Sequence, residues 1–374
     1  MTFIVLTAQE GLGYTLTPNP PHSAMRFKAT IIPARFPSFW AHIQMMERVG
    51  KRAVLLFERS SVRMVVTSDT DTVMQYSHLH TAAVFESFRC ESRSDNVIAI
   101  EVTVATLLAG LKPAGPGDQL TLKLTKREEA QYLRAETHPQ GAKEGERTTL
   151  MVQDMPVRVI VGQEMLRYAP PALPTPRVCL FLPAPRLLCA VVDRMKALSK
   201  TLLIEATAPA RAEEGQGGEE EGGSSSSSSS SSGSGSTPAL LQGAKLALGV
   251  DNELARVRTM FNDLTCEAHT DTLAKAAVGI ADFSRSLRGV AGIAATLALR
   301  VKLALLPPTA LYISVTLEDG TGGMVIIHTI KDMGLMEEEE EEGGGGGGSG
   351  AAAAAAAAGA ASAAAEFGGE EEEE

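Results

Sequence analysis

Residues Asp154–Ala206 constrain this chain more than any other stretch. They read in order as a strand (Pro156–Val161), a proline-rich connector (Ala169–Pro176), a strand (Val178–Leu182), a basic amphipathic helix (Arg186–Lys200) and a strand (Thr201–Ala206). Alternating apolar residues mark the strands, and apolar residues three and four apart mark the helix. On a wheel of about 100° per residue, Arg194, Lys196 and Lys200 fall within about 80° of Arg186. Leu187, Leu188, Val191, Val192, Met195 and Leu198 fill the opposite arc. That arc is expected to bury against a sheet, which turns the basic arc outward.

The plan recurs along the chain. Met25 opens a strand (Arg26–Ile32), and Phe39, Trp40, Ile43, Met46 and Val49 follow at helical spacing with Gly50 as a stop. Ala53–Glu58, Val62–Thr67, Val73–His80 and Ala83–Cys90 read as strands. A second unit has a strand (Val97–Val102), a short helix (Thr103–Leu111) and a strand carrying Leu120, Leu122 and Leu124, with His138–Arg147 as an exposed loop. The fourth begins at Ala277–Ala281 and enters a helix with Asp282 as N-cap and Phe283, Leu287 and Val290 on one side. Strands Leu297–Leu305, Ala310–Leu317 and Gly323–Thr329 close it. Four strand–helix–multistrand units in two pairs form a repeat of architecture without repeat of identity.

The expected division is an N-terminal extension (1–24), a first domain (25–160), a connector (161–177), a second domain (178–336) and a low-complexity Glu/Gly/Ala tail (337–374). Arg211–Ser236 interrupts the second domain with Gly, Glu and a serine run, a composition that cannot bury a core. The formal charge of −11 hides an asymmetry. Of the 45 acids, 17 lie in that insertion and the tail, leaving 28 acids against 33 of the 34 bases elsewhere. The part able to fold is therefore mildly basic, which suits a polyanionic partner.

Basic residues oppose the apolar stripe on three of the four helices. They are Arg48 and Lys51 in the first, Arg186, Arg194, Lys196 and Lys200 in the third, and Arg285 and Arg288 in the fourth. Such a surface touches phosphates, and phosphate contacts position without reading sequence. The runs Met25-Arg-Phe-Lys-Ala29, Gln153-Asp-Met-Pro-Val-Arg-Val-Ile160, Val178-Cys-Leu-Phe-Leu-Pro183, Val192-Asp-Arg-Met-Lys-Ala-Leu-Ser199 and Leu203-Ile-Glu-Ala206 resemble the Hus family of checkpoint proteins, over Met25–Ala206 and more weakly over Lys245–Thr329. The resemblance implies an α+β sliding-clamp (DNA clamp, PCNA-like) fold: two domains of two βαβββ units each, helices on the inner face and sheets outside. It implies a nuclear, non-catalytic subunit of the heterotrimeric nine-one-one DNA-damage clamp. Its partners would be two sister clamp subunits, a clamp loader, double-stranded DNA, and repair and checkpoint clients. The extension, the serine/glutamate insertion and the tail depart from the family pattern.

Chemistry finds little support. His78 and His80 lie two apart on a strand and share a face, but no third ligand stands at a convincing spacing. Asp69 and Asp71 flank Thr70 as ordinary turn residues. Cys90, Cys179, Cys189 and Cys266 show no CxxC spacing, and Cys179 and Cys189 fit core packing. No Gly-x-Ser-x-Gly elbow or Gly-Lys-Ser/Thr phosphate loop stands in context. No cofactor or metal is expected, and no apolar run reaches the length of a membrane span. A homotrimeric replication clamp and a metal-dependent hydrolase built on His78/His80 are the alternatives.

Overall fold

A computed structural model of the chain describes residues 25–115, 117–139, 150–209, 240–252, 255–269, 272–308 and 310–330. The extension, insertion 211–236 and tail lie outside the described residues, and so does most of the 138–147 loop. The chain divides into two units, Met1–Lys331 and Asp332–Glu374, and every strand and helix named below belongs to the first.

Strand β1 (Arg26–Ile31) leads through a short 3-10 turn into helix α1 (Phe36–Val49), then β2 (Arg52–Phe57), β3 (Ser61–Thr67) and β4 (Val73–His80). The expected strand at Ala83–Cys90 starts two residues later, as β5 (Phe85–Glu91), after a one-turn helix, α2 (Thr81–Val84). Next come β6 (Ile98–Thr103), α3 (Val104–Leu111), β7 (Gln119–Arg127), β8 (Ala130–His138) and β9 (Met151–Ile160). A 3-10 segment (Gly162–Tyr168) and an extended stretch lead to β10 (Val178–Phe181), α4 (Pro185–Met195), β11 (Thr201–Thr207), β12 (Leu241–Asp251) and β13 (Arg256–His269). The described part closes with β14 (Leu273–Gly279), α5 (Ile280–Ile293), β15 (Leu299–Leu306), β16 (Ala310–Leu317) and β17 (Gly322–Thr329).

The strand registers make the repeat explicit. β1 pairs with β5 and β7, and β10 pairs with β13 and β15. β2 pairs with β3 and β6, and β11 with β12 and β14. In the first half β4 and β5 are separate strands, whereas β13 alone pairs with both β12 and β10. All these ladders are antiparallel. β9 extends β8 and then reaches β6, so the strand read as opening the third unit finishes the second. β4 joins β17 and makes the halves continuous, giving 17 strands in one sheet among the described residues.

Strand alternation sorts residues to two faces. Ala53, Leu55 and Phe57 of β2 enter the main core with the helices. Val54 and Leu56 point the other way, into a small cluster with Val65, Ala99 and Ile160 that Met165 and Tyr168 cover. The helices thus occupy one face and the 3-10 segment the other. On the helix face α3 packs on α1, α1 on α5 and α5 on α4, forming one row. Close approach needs small residues at two points. A Cβ at Gly289 of α5 would fall on the Met45 sulfur of α1, and one at Gly110 of α3 on the Met155 side chain of β9.

The junction between the halves is polar as well as packed. Asp319 accepts hydrogen bonds from Ser38 Oγ (2.6 Å) and Thr321 Oγ1 (2.6 Å), and pairs with Arg35 (3.3 Å). Thr72 Oγ1 donates to Asp282 (3.0 Å), so Asp282 sits in the first turn of α5 and binds across the junction rather than serving as N-cap. His42 and His328 are both buried here, and the His328 ring lies 5.5 Å from that of Phe283.

Candidate nucleic-acid interface

α4 forms because Leu188, Val192 and Met195 recur at i, i+4 and i+7 and are buried, while Pro185 suits the first turn. It is shorter than its periodicity suggests. The helix ends at Met195, Lys196 occupies the C-cap, and Lys200 stands just before β11. The buried arc is also narrower, because Leu187 and Leu198 remain 52% and 40% exposed. Both positions need a neighbour beyond α4 to be covered, and α5 lies on the other side of the helix.

Each of the eight candidate basic residues is exposed on the helix row or at its ends. Their electrostatic states differ. Arg288 donates from Nη2 to Asp193 Oδ1 at 2.8 Å, Arg285 pairs with Asp282 at 3.5 Å, and Lys51 pairs with Asp69 at 2.6 Å. Arg48, Arg186, Arg194, Lys196 and Lys200 make no ion pair among the described residues. Four of those five belong to α4 and the turn after it. Arg194 and Lys196 also stand at the negative end of the α4 dipole, where cations are favoured.

Asp193 is the residue the sequence reading missed. It falls about 20° from Arg186 on the wheel, inside the basic arc, and the wheel could have shown it. It also accepts from Ser284 Oγ at 2.8 Å, tying α4 to α5. Burial works against its charge, but hydrogen bonds from Arg288 and Ser284 outweigh that and hold the carboxyl below the usual range. One acid thus neutralises one arginine and docks two helices.

The residues weighed for chemistry do not assemble. His78 and His80 share a face with ring centroids 4.7 Å apart. No group of three His, Cys, Asp or Glu able to hold a metal occurs among the described residues. Cys179 is buried, and burial pushes its thiol up to about 12, which removes it as a nucleophile near neutrality. Cys189 is half-buried and shifted upward for the same reason.

A sheet of this topology, two repeated halves with four helices rowed on one face, defines the sliding-clamp fold. Two solved clamps share it: proliferating cellular nuclear antigen of Entamoeba histolytica (TM-score 0.57, 12% identity, covering 83% of this chain and 100% of that one) and of Thermococcus kodakaraensis (TM-score 0.54, 20% identity, 82% and 100%). The Hus1-like protein family matches residues 25–303, and the chain belongs to that family. It is 27% identical over 182 residues to checkpoint protein hus1 of Schizosaccharomyces pombe, and 25% identical over 187 residues to checkpoint protein HUS1 of Homo sapiens. Each match takes in 49% of this chain and, respectively, 62% and 66% of the relative.

Proposed function

We propose that the chain is a non-catalytic subunit of a heterotrimeric checkpoint clamp that encircles damaged DNA in the nucleus and serves as a platform for signalling and repair. The observation that carries this reading is the basic side of α4 and its following turn: four cations that make no ion pair among the described residues, on the helix face of a clamp fold. Held around a duplex, such a face contacts phosphates loosely, so retention is topological and sliding is free. Arg48 extends the same surface, whereas Lys51, Arg285 and Arg288 reach DNA only by leaving an acid. The domain division at residues 160 and 178 belongs to this reading, with the connector on the outer surface where clients dock.

Sister subunits and a clamp loader complete the assembly. The repeat suggests which edges meet the sisters. β4 and β17 join the halves, and their counterparts under the repeat are β13 and β9. Both carry exposed apolar residues: Met260 (53%) and Val257 (36%) on β13, and Val152 (41%) on β9 with Leu150 (47%) just before it. Co-expression with the two sister clamp subunits, followed by subunit stoichiometry, tests the reading. A one-to-one-to-one ring is expected. A stable ring of this chain alone would replace the heterotrimer with a homotrimeric clamp, and failure to assemble in either form would sink both.

A further inference from the structure

The segment Ala169-Pro-Pro-Ala-Leu-Pro-Thr-Pro-Arg177 is fastened at its two ends by backbone hydrogen bonds, and residues 170–175 between them are exposed. The Ala169 N–H donates to the Leu166 carbonyl (3.2 Å), and the Arg177 N–H donates to the Leu305 carbonyl of β15 (2.9 Å). Among the described residues, the N–H groups of Ala172, Leu173 and Thr175 bond to nothing in the chain. Residues 169–175 are all exposed. Just before them, Met165 and Tyr168 pack on the sheet face opposite the helices, and Arg158 of β9 grips Glu164 (2.7 Å) and Glu101 (2.6 Å). The stretch is therefore held out on that outer face.

Its conformation is fixed by covalent geometry. Pro170, Pro171, Pro174 and Pro176 have φ locked near −65° by the ring. Ala169, Pro170, Leu173 and Thr175 each precede a proline and are steered to extended values. Before Arg177 only Ala172 escapes both restrictions, and Ala169 has φ −65° and ψ 138°, values of a polyproline II helix. That helix repeats every three residues. Pro170, Leu173 and Pro176 therefore form one ridge, and Pro171, Pro174 and Arg177 a second, while Ala169, Ala172 and Thr175 make a small-residue third side. Two apolar–proline pairs, Pro170-Pro171 and Leu173-Pro174, thus present the same profile one turn apart.

We propose that Ala169–Arg177 is a docking ligand for a partner domain that reads polyproline II helices through clefts between parallel aromatic rings, of the SH3 type. Such clefts take a Pro-x-x-Pro core of the kind supplied by Pro171 and Pro174. Because the segment is already extended, little conformational entropy opposes binding. The inference names the partner chemistry for the client-docking connector and rests on that reading.

The full chain, assembled with its sister subunits, is titrated against a panel of purified SH3 domains and purified WW domains. At least one SH3 domain is expected to bind. The double substitution Pro171→Ala/Pro174→Ala is expected to weaken it by about tenfold or more, since the second ridge loses both its prolines and the chain its preorganisation. Ala172→Ser, on the third side, is expected to leave binding unchanged. The double substitution touches exposed residues, so ring assembly and the melting temperature stay as in the parent. Loss of assembly in the unsubstituted protein counts against the clamp reading instead. The inference is overturned if no SH3 domain binds, if binding is confined to WW domains, or if the double variant binds as well as the parent.

Discussion

The two halves of the molecule share one plan of strand pairing, β13 standing where β4 and β5 are separate, and differ in what their helices present. In the first half, α3 is uncharged between Val104 and Leu111, and Arg48 is the one candidate cation of α1 and its flank without an ion pair among the described residues. In the second half, Arg186, Arg194, Lys196 and Lys200 gather on α4 and its following turn, while Arg285 and Arg288 of α5 are engaged by Asp282 and Asp193. The backbone plan thus repeats while the electrostatic one does not. Registers depend on buried alternation, which tolerates any apolar residue of suitable size. Surface charge answers to no such constraint, so a repeat can keep its fold and redistribute its function.

The comparison rests on α4, and reversing charge on one helix of the second half at a time tests it most directly. In the assembled ring, Arg186→Glu/Arg194→Glu/Lys196→Glu is expected to impair, without abolishing, retention on closed circular DNA, since encirclement does not depend on the phosphate contacts. It should also lower the salt-dependence slope of DNA binding by about 3, roughly 0.9 for each phosphate no longer neutralised. Arg285→Glu/Arg288→Glu should have a much smaller effect. Equal losses from both would mean that the Arg285 and Arg288 ion pairs open on DNA and that α4 is not the principal contact.

The junction is the next test. Burial depresses the His328 pKa to about 4 from a usual value of 6.5. The unfolded chain therefore binds the proton more readily, so stability is full above about pH 6.5 and falls as the pH drops to about 4. The expected loss is on the order of 3 kcal/mol, and it levels off below that pH as far as this group is concerned. His42, also lowered by burial, acts with the same sign. His328→Leu should flatten much of the pH dependence of urea unfolding between pH 6.5 and 4; an unchanged profile would show that the acid sensitivity lies elsewhere.

Gly289 probes the same junction by volume. Gly289→Leu forces α5 away from Met45 of α1 and should cost about 1–3 kcal/mol, read as a lowered urea midpoint. A smaller effect is expected at Asp193. Asp193→Ala frees Arg288 for phosphate and should raise the salt slope by about 0.9. It also removes the Ser284 and Arg288 bonds at a cost of about 1 kcal/mol in stability, the Arg288 pair being largely exposed and screened. A slope that does not change would place Arg288 out of reach of DNA.

Much of this organisation was legible in particular residues. Leu188, Val192 and Met195 announced the buried side of α4, and Phe283, Leu287 and Val290 that of α5. Other features were hidden by their neighbourhood. β12 and β13 went unread as strands, although Ala244, Leu246, Leu248 and Val250 alternate clearly, because they follow a low-complexity run. Leu187 and Leu198 looked like core because a wheel records direction and not whether anything stands there. Lys196 and Lys200 looked helical because their spacing continues past the point where the backbone turns away.

By itself, the sequence determined the repeated strand–helix plan, the basic character of the foldable part and the stiffness of the proline connector. Each follows from local rules: side-chain periodicity, charge count and the fixed φ of proline. The tertiary structure decided which cations remain unpaired, since Asp193 and Arg288 lie on different helices 95 residues apart and meet only when α4 packs on α5. It also decided that β4 seals to β17, leaving the counterpart edges β9 and β13 with exposed apolar side chains. Pairing of distant groups depends on the three-dimensional path of the chain, and no local rule of spacing encodes it.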